Sequence, residues 1–141
     1  MKYVVDASVA LKWDLPEAQS DEARGLRDAF CNRLHELLAP DIFPVEVGHA
    51  LTRAERKKII PAGYAMGFLA DIMRTPPALH SYLPLLARAM DIASETQQSV
   101  YDCLYVALGE REQCEVVTAD LRLIRALQKQ FRFIIPLSAI A

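Results

Sequence analysis

The sequence predicts an α/β fold built on a parallel sheet, and three observations carry this prediction. Short strand-like runs alternate with longer helix-like segments, which is typical of α/β layers. The strand runs are apolar and lack the polar alternation of half-exposed strands, which suits strands buried on both faces. The length of 141 residues corresponds to one domain, so we expect residues 1–141 to form a single unit.

The order of the elements follows from the spacing of the apolar residues. The first strand covers residues 3–5 and ends at Asp6. Apolar side chains at steps of three and four predict a helix over residues 20–38. The same reasoning predicts further helices over 42–58, from Pro61 to about residue 73, and over 85–97, 99–112 and 121–131. The remaining strands are predicted over 79–83, 115–118 and 133–135.

Composition excludes several classes of protein. With 52% hydrophobic residues and a net charge of −2, the chain is neither disordered nor a globally basic nucleic-acid binder. Its 3 cysteines form no C-x-x-C pair, which argues against a disulfide framework and indicates a reducing compartment. No apolar run reaches the ~18 residues of a membrane span, and Asp6 interrupts any signal-peptide core, so we expect a soluble cytoplasmic protein.

Acidic residues stand where strands end and helices begin. Asp6 follows the first strand, Asp120 follows the strand at 115–118, and Asp102 lies in the first turn of a predicted helix. Ligands of open α/β sheets bind at the carboxyl ends of the strands, so these three acids are expected at one edge. A fourth acid, Glu46, lies in an apolar stretch, where a carboxylate is costly unless it is paired or binds a metal.

Each aspartate also has a purely structural explanation. Ser99 and Asp102 have the spacing of a helix capping box, and Asp120 could cap the last helix. Asp6 could accept backbone N–H groups at a helix start. Together, however, converging carboxylates repel one another, and a divalent cation removes that penalty. Four oxygen donors without a His/Cys cluster favour Mg²⁺ or Mn²⁺ over zinc.

The acidic segments resemble the PIN-domain ribonucleases, in particular the VapC-type toxins of toxin–antitoxin pairs. The resemblance spans nearly the whole chain, in order, and its first, third and fourth motifs together are specific. The matching segments are Val-Val-Asp6-Ala-Ser8-Val-Ala-Leu-Lys-Trp, Pro44-Val-Glu46-Val, Tyr101-Asp102-Cys103-Leu-Tyr105-Val-Ala-Leu and Val117-Thr118-Ala-Asp120-Leu-Arg122-Leu.

This resemblance implies a PIN-like three-layer fold, a twisted parallel sheet of about five strands between helices. It also implies metal-dependent endonucleolytic cleavage of RNA, inhibition by an antitoxin protein, and a homodimer. The expected acidic metal site comprises Asp6, Glu46, Asp102 and Asp120, with Asp6 and Asp102 as direct ligands. Ser8 and Thr118 would form hydrogen bonds beside it. The expected reaction is in-line attack of an activated water on a phosphodiester, leaving 5′-phosphate and 3′-hydroxyl ends.

Two positions depart from the family pattern. His49 stands where the family often has Asn, and it could contact substrate or metal or be an ordinary helix-face side chain. His49 stands three residues after Glu46, so the two form a Glu-x-x-His motif on one helix face. Helical bundles that bind metal through this motif need two copies of it, and the sequence has only one. Cys103 replaces a small Ala and is expected to be a buried hydrophobe.

Basic residues form two groups. The cluster Arg53, Arg56, Lys57 and Lys58 is expected to be a solvated helix end. The second group, predicted as a stripe on the last helix, starts beside Asp120 and comprises Arg122, Arg125, Lys129 and Arg132. Of these, Arg122 and Arg125 are candidates for contact with the RNA backbone, against the alternative of a solvated face.

Two other functions remain open from the sequence. The domain could be a non-catalytic PIN-like module that binds RNA or a protein. It could also be an Asp-nucleophile phosphotransferase, but such enzymes need Asp-x-Asp after the first strand, and here position 8 is Ser.

Overall fold

Five parallel strands form one sheet in the computed structural model, which describes residues 1–140. The strands are β1 (Lys2–Val5), β2 (Glu36–Pro40), β3 (Ala78–His80), β4 (Glu115–Thr118) and β5 (Ile134–Pro136). Their order across the sheet is β3-β2-β1-β4-β5. All four neighbouring pairs are parallel, which confirms the predicted α/β fold class.

Within residues 1–140, seven α-helices flank the sheet. They are α1 (Ala7–Asp14), α2 (Ser20–Cys31), α3 (Phe43–Arg56), α4 (Ala65–Ile72), α5 (Leu86–Thr96), α6 (Val100–Glu112) and α7 (Leu121–Leu127). Helix α1 contacts α2, α3 and α4, whereas α5 packs on α6, which lies along β1, β2 and β4. Among residues 1–140, every helix falls short of the length and apolarity that a membrane span requires.

Both faces of the sheet are covered. In β1, the consecutive residues Val4 and Val5 are fully buried, and so are Val116 and Val117 in β4. Successive strand residues point to opposite faces, so apolar layers pack on each side. The interpretation of the short apolar runs as doubly buried strands is therefore confirmed.

The predicted helix over residues 20–38 is wrong in its second half. Helix α2 ends at Cys31, the backbone turns through Arg33 with a φ of 60°, and the chain then enters β2. Leu37 is buried as predicted, but it pairs with Tyr3 of β1, and Leu34 is exposed. A short apolar run satisfies both helical and strand patterns, and the pairing with β1 decides between them.

Smaller differences concern element ends. Residues 7–14 form α1, a helix that is absent from the predicted elements. The helix expected from Pro61 begins at Ala65, after a turn in which Gly63 adopts a φ of 87°. The strand expected over 79–83 is β3, which ends at His80, and α7 ends at Leu127 rather than at residue 131.

The strand order places a topological switch point at β1. From β1 the chain proceeds to β2 on one side, and it returns later to β4 on the other. Val5 pairs with Val117, so the residues that follow both strands emerge side by side at the carboxyl edge. This edge is where open α/β sheets bind their ligands.

Gly109 provides a test of how closely α6 packs on the sheet. A Cβ at this position would overlap Cγ2 of Val116 and would lie 3.3 Å from the Cys114 carbonyl oxygen. We expect Gly109→Ala to lower the free energy of unfolding by about 1–3 kcal/mol, as measured by denaturant titration. The matched control is Gly25→Ala in α2, where a Cβ meets no atom within 4 Å.

The Gly25→Ala variant should raise the free energy of unfolding by about 0.5–1 kcal/mol, because Ala costs less backbone entropy in a helix. Equal effects of the two variants would contradict the close packing of α6 on β4.

Candidate acidic active site

Asp6 lies at the junction of β1 and α1, at the switch point. Its backbone N–H donates to the Val117 carbonyl (3.0 Å), which extends the pairing of β1 with β4 by one residue. Its carboxylate Oδ2 accepts from Ser8 Oγ (2.6 Å) and Thr118 Oγ1 (3.0 Å). The side chain makes no capping hydrogen bond to α1, so the helix-start explanation is wrong for this residue.

Ser8 and Thr118 connect the two strand ends through their hydroxyl groups. Ser8 Oγ accepts from the Ala119 N–H (3.1 Å), and Thr118 Oγ1 accepts from the Asp120 N–H (3.0 Å). Each hydroxyl therefore accepts one backbone hydrogen bond while donating its proton to Asp6. The structure thus brings both residues beside Asp6, and their hydrogen bonds fix the direction of its carboxylate.

Asp102 and Asp120 both stand at helix starts. Ser99 caps α6 by accepting from the Asp102 N–H (3.1 Å), and Asp120 caps α7 through Oδ1, which accepts from the N–H groups of Arg122 and Leu123. The capping explanations therefore hold for Ser99 and Asp120. The Oδ2 atoms of both aspartates accept from Nη2 of Arg122, which lies 3.2 Å from each of them.

Glu46 lies in the first turn of α3 and is half-buried. Burial raises its pKa to about 7; the nearby Tyr105 hydroxyl lowers this pKa, and the charges of Asp6 and Asp102 raise it. Burial likewise raises the pKa of Asp6, to which the charges of Asp102 and Asp120 add. The four predicted acids therefore interact electrostatically, as carboxylates do at one end of a sheet.

Tyr105 is the site residue that sequence reasoning did not assign. It lies in α6, fully buried, and no hydrogen-bond partner for its hydroxyl is present within residues 1–140. Burial raises its pKa most, followed by the charges of Asp6 and Glu46. Its position one turn after Asp102 was the available signal, because residues three apart share a helix face.

A cavity of about 400 Å³ is lined by Val45, Glu46, His49 and Tyr101, so it includes one of the four acids. His49 is exposed on its wall, and the side chain of Tyr101 is 61% exposed. The role of His49 remains a prediction. Cys103 is fully buried, in agreement with its interpretation as a small hydrophobe.

The donor set suits a hard divalent cation. The groups at the sheet edge are carboxylate and hydroxyl oxygens, two of the acids have raised pKa values, and the Tyr105 hydroxyl lacks a partner. Among residues 1–140, however, no three His, Cys, Asp or Glu side chains already stand as ligands around one point. Arg122 pairs with both Asp102 and Asp120 and supplies their counter-charge.

The predicted basic stripe is shorter than expected. Because α7 ends at Leu127, Lys129 and Arg132 lie beyond the helix, and only Arg122 and Arg125 belong to it. Both arginines are exposed, and Arg122 borders the acids directly. The other cluster lies at the opposite end of α3 from Glu46, as expected of a solvated helix end.

Comparison with known proteins identifies the chain's relatives. Residues 3–128 match the family model described as the PIN domain. Ribonuclease VapC3 of Pyrobaculum aerophilum is 31% identical over 125 residues, which cover 87% of this chain and 92% of that protein. Ribonuclease VapC9 of Mycobacterium tuberculosis is 35% identical over 127 residues, which cover 90% and 92%.

Two solved structures share the fold. PAE2754 from Pyrobaculum aerophilum has a TM-score of 0.71 at 20% identity, with 99% of this chain and 94% of that chain covered. VapBC2 from Rickettsia felis, bound to a promoter DNA fragment, has a TM-score of 0.64 at 12% identity, with 96% and 97% covered. At these identities the structural likeness concerns the fold alone.

The raised pKa values of Asp6 and Glu46 should make the cation-free protein less stable as the pH rises. Asp6 and Glu46 have higher pKa values in the folded state, which therefore binds protons more tightly than the unfolded chain. The contribution of Glu46 is most favourable below its ordinary pKa of 4.5 and is lost as the pH rises through about 7. A bound divalent cation should offset this loss, so Mg²⁺ should raise the melting temperature more at about pH 8 than at about pH 5.

Thermal unfolding with and without Mg²⁺ at the two pH values measures this effect. The control is Asp6→Asn, which should be more stable than the wild type in the cation-free state at the higher pH and should gain less from Mg²⁺. A Mg²⁺ effect that is the same at both pH values and in both proteins would contradict the assignment of these acids.

Proposed function

The chain belongs to the PIN-domain family, and we propose that it is a VapC-type endoribonuclease, the toxin of a toxin–antitoxin pair, which requires Mg²⁺ or Mn²⁺. The observation that carries the proposal is the convergence of carboxylates from separate segments at the carboxyl edge of the sheet. Asp6 accepts from the hydroxyls of Ser8 and Thr118, and the charges that shift the pKa values of Asp6 and Glu46 belong to other acids. Such an arrangement is unfavourable unless a cation joins it.

The site residues have different proposed tasks. Asp6 and Asp102 are the direct ligands, and Glu46 and Asp120 complete the acidic set. Ser8 and Thr118 hold the Asp6 carboxylate in one direction through their hydrogen bonds. When bound there, Mg²⁺ or Mn²⁺ supplies an activated water and neutralises charge on the phosphate.

The residues around the acids suit a single-stranded RNA substrate. Arg122 and Arg125 present exposed guanidinium groups on α7, where they can contact phosphates without reading sequence. The cavity beside Glu46 offers the exposed ring of Tyr101, on which a base can stack. The backbone would then cross the acidic edge with one nucleotide seated in this cavity.

The proposal extends to partners. VapBC2 is a structural relative of this chain, and we propose that this chain likewise binds a cognate antitoxin protein and forms a homodimer. Measuring the molecular mass of the chain alone tests for the homodimer. Measuring it again after co-expression with the product of a small neighbouring gene tests for the antitoxin complex.

Replacing either direct ligand should abolish RNA cleavage while the fold stays intact. Loss of a residue that hydrogen-bonds to a metal ligand typically lowers activity roughly 10–100-fold. We expect Asp6→Asn and Asp102→Asn, which replace the ligands themselves, to lower the cleavage rate by more than this. The assay uses the purified chain without its partner, total cellular RNA, and Mg²⁺, Mn²⁺ or EDTA, with circular dichroism to verify folding.

The matched control is Asp21→Asn, because the side chain of Asp21 is fully exposed on α2. It should cleave like the wild type. RNA binding that survives EDTA, with no cleavage products from the folded wild type, would favour the non-catalytic binding module instead. A folded Asp6→Asn variant that cleaves at the wild-type rate would remove Asp6 from the site.

Arg122 should contribute to RNA binding through a phosphate contact. In an Asp6→Asn background, which prevents cleavage, Arg122→Gln should weaken binding of a single-stranded RNA and reduce the salt dependence by about one ion. Fluorescence anisotropy across a salt series measures both quantities. Arg53→Gln, a change in the distant basic cluster, is the control and should leave binding unchanged; equal losses in both variants would contradict a specific role for Arg122.

A further inference from the structure

The guanidinium of Arg122 contacts two of the four acids at once. Its Nη2 donates to Oδ2 of Asp102 and to Oδ2 of Asp120, at 3.2 Å from each oxygen. Its Nη1 donates to Oε1 of Gln98 (2.7 Å), which directly precedes the N-cap of α6. One arginine therefore connects the beginning of α6 with the beginning of α7 across the acidic edge.

The oxygens that accept from Arg122 are also the ones that a cation needs. Oδ1 of Asp120 already accepts the backbone N–H groups that begin α7, so Oδ2 is the oxygen that this residue has left for a ligand. Hard divalent cations bind such carboxylate oxygens directly. A cation and a guanidinium at the same oxygen repel each other, because both are positively charged. Arg122 and a divalent cation therefore compete for Oδ2 of Asp120.

A second arginine shows how a structural bridge between two aspartates is built in this fold. Arg27 pairs with Asp14 and Asp71. It also donates to the Asp71 carbonyl (2.8 Å), and its guanidinium lies over the Trp13 ring, 4.9 Å from the centroid. The side chain of Arg27 is 17% exposed, whereas that of Arg122 is 62% exposed. Exposed ion pairs contribute little to stability, so Arg122 can be displaced at small cost.

We propose that Arg122 is an exchangeable counter-charge. It pairs with Asp102 and Asp120 in the cation-free protein and is released when a divalent cation binds these acids. The released guanidinium, at the exposed start of α7, is then available for the phosphate contact proposed above. This inference rests on the proposed function, since it requires a cation at these acids.

Isothermal titration with Mn²⁺ compares Arg122→Gln with the wild type. Removal of the competing guanidinium should tighten Mn²⁺ binding about threefold to tenfold, as expected for the loss of two exposed ion pairs. The matched control is Lys129→Gln, which removes the same charge from an exposed residue beyond the end of α7 and should change the affinity less than about twofold. Unchanged or weaker binding by Arg122→Gln, or an equal gain in the control, would overturn the proposal.

The variant Gln98→Ala tests the contact without changing any charge. Gln98 accepts from Nη1 of Arg122, so its removal should loosen the guanidinium and tighten Mn²⁺ binding by a smaller factor. In an Arg122→Gln background the same change should have no effect, because its partner is already absent. Equal effects in the two backgrounds would contradict the exchange. If Arg122→Gln fails to fold, Gln98→Ala decides alone, and Mn²⁺ binding no tighter than that of the wild type would overturn the proposal.

Nuclear magnetic resonance of the arginine side chains measures the release itself. The Nε–H group of Arg122 should be ordered in the cation-free protein and should become mobile when saturating Mg²⁺ is added. Arg27 is the internal reference and should stay ordered in both states, because its guanidinium is held inside the fold. An order parameter of Arg122 that is the same with and without Mg²⁺ would show that no exchange takes place.

The same measurements separate this inference from the proposed function. If the wild type binds neither Mn²⁺ nor Mg²⁺, the acidic metal site is wrong and the inference falls with it. If the wild type binds Mn²⁺ and Arg122→Gln binds it equally, the site stands and only the exchange of Arg122 falls.

Discussion

The pairing of β1 with β4 is the constraint on which the rest of the molecule depends. It joins residues more than a hundred positions apart and is continued beyond the strands by Asp6, whose N–H donates to Val117 and whose carboxylate accepts from Thr118. The strand order, the switch point and the direction of the central carboxylate all follow from it. Helices α6 and α7 then bring Asp102 and Asp120 to the same edge because both begin there.

The acids at this edge differ in how far helix capping explains their presence. Asp120 divides its two oxygens, since Oδ1 caps α7 and Oδ2 pairs with Arg122. Asp6 caps nothing, and its buried carboxylate, whose pKa is raised by that burial, accepts from two hydroxyls. Buried ionisable groups with shifted pKa values concentrate where proteins bind ligands or do chemistry. Stability alone therefore explains Asp120 and fails to explain Asp6.

Sequence reasoning succeeded where a pattern has one physical solution. Val4, Val5, Val116 and Val117 read as doubly buried strands, and an acid directly after such a strand can only emerge at its carboxyl edge. It failed for residues 32–38, where Leu34 and Leu37 fit a helical spacing although Leu37 is a strand residue. The sequence also does not predict that the Tyr105 hydroxyl lacks a hydrogen-bond partner, or that Arg122 pairs with two acids. Both features depend on how side chains from different helices and strands are placed relative to one another.

The central position of β1 in the sheet has a consequence for how the protein folds while it is being synthesised. The central strand β1 precedes the other four strands in the chain, yet one of its two neighbours, β4, comes from residues 115–118. A growing chain on the ribosome therefore carries Asp6 long before Thr118 and Asp120 have been added. Non-local pairing of this kind is slow to form and follows the emergence of its partner. An incomplete product of translation that stops before β4 contains neither the central pairing nor the assembled acidic edge.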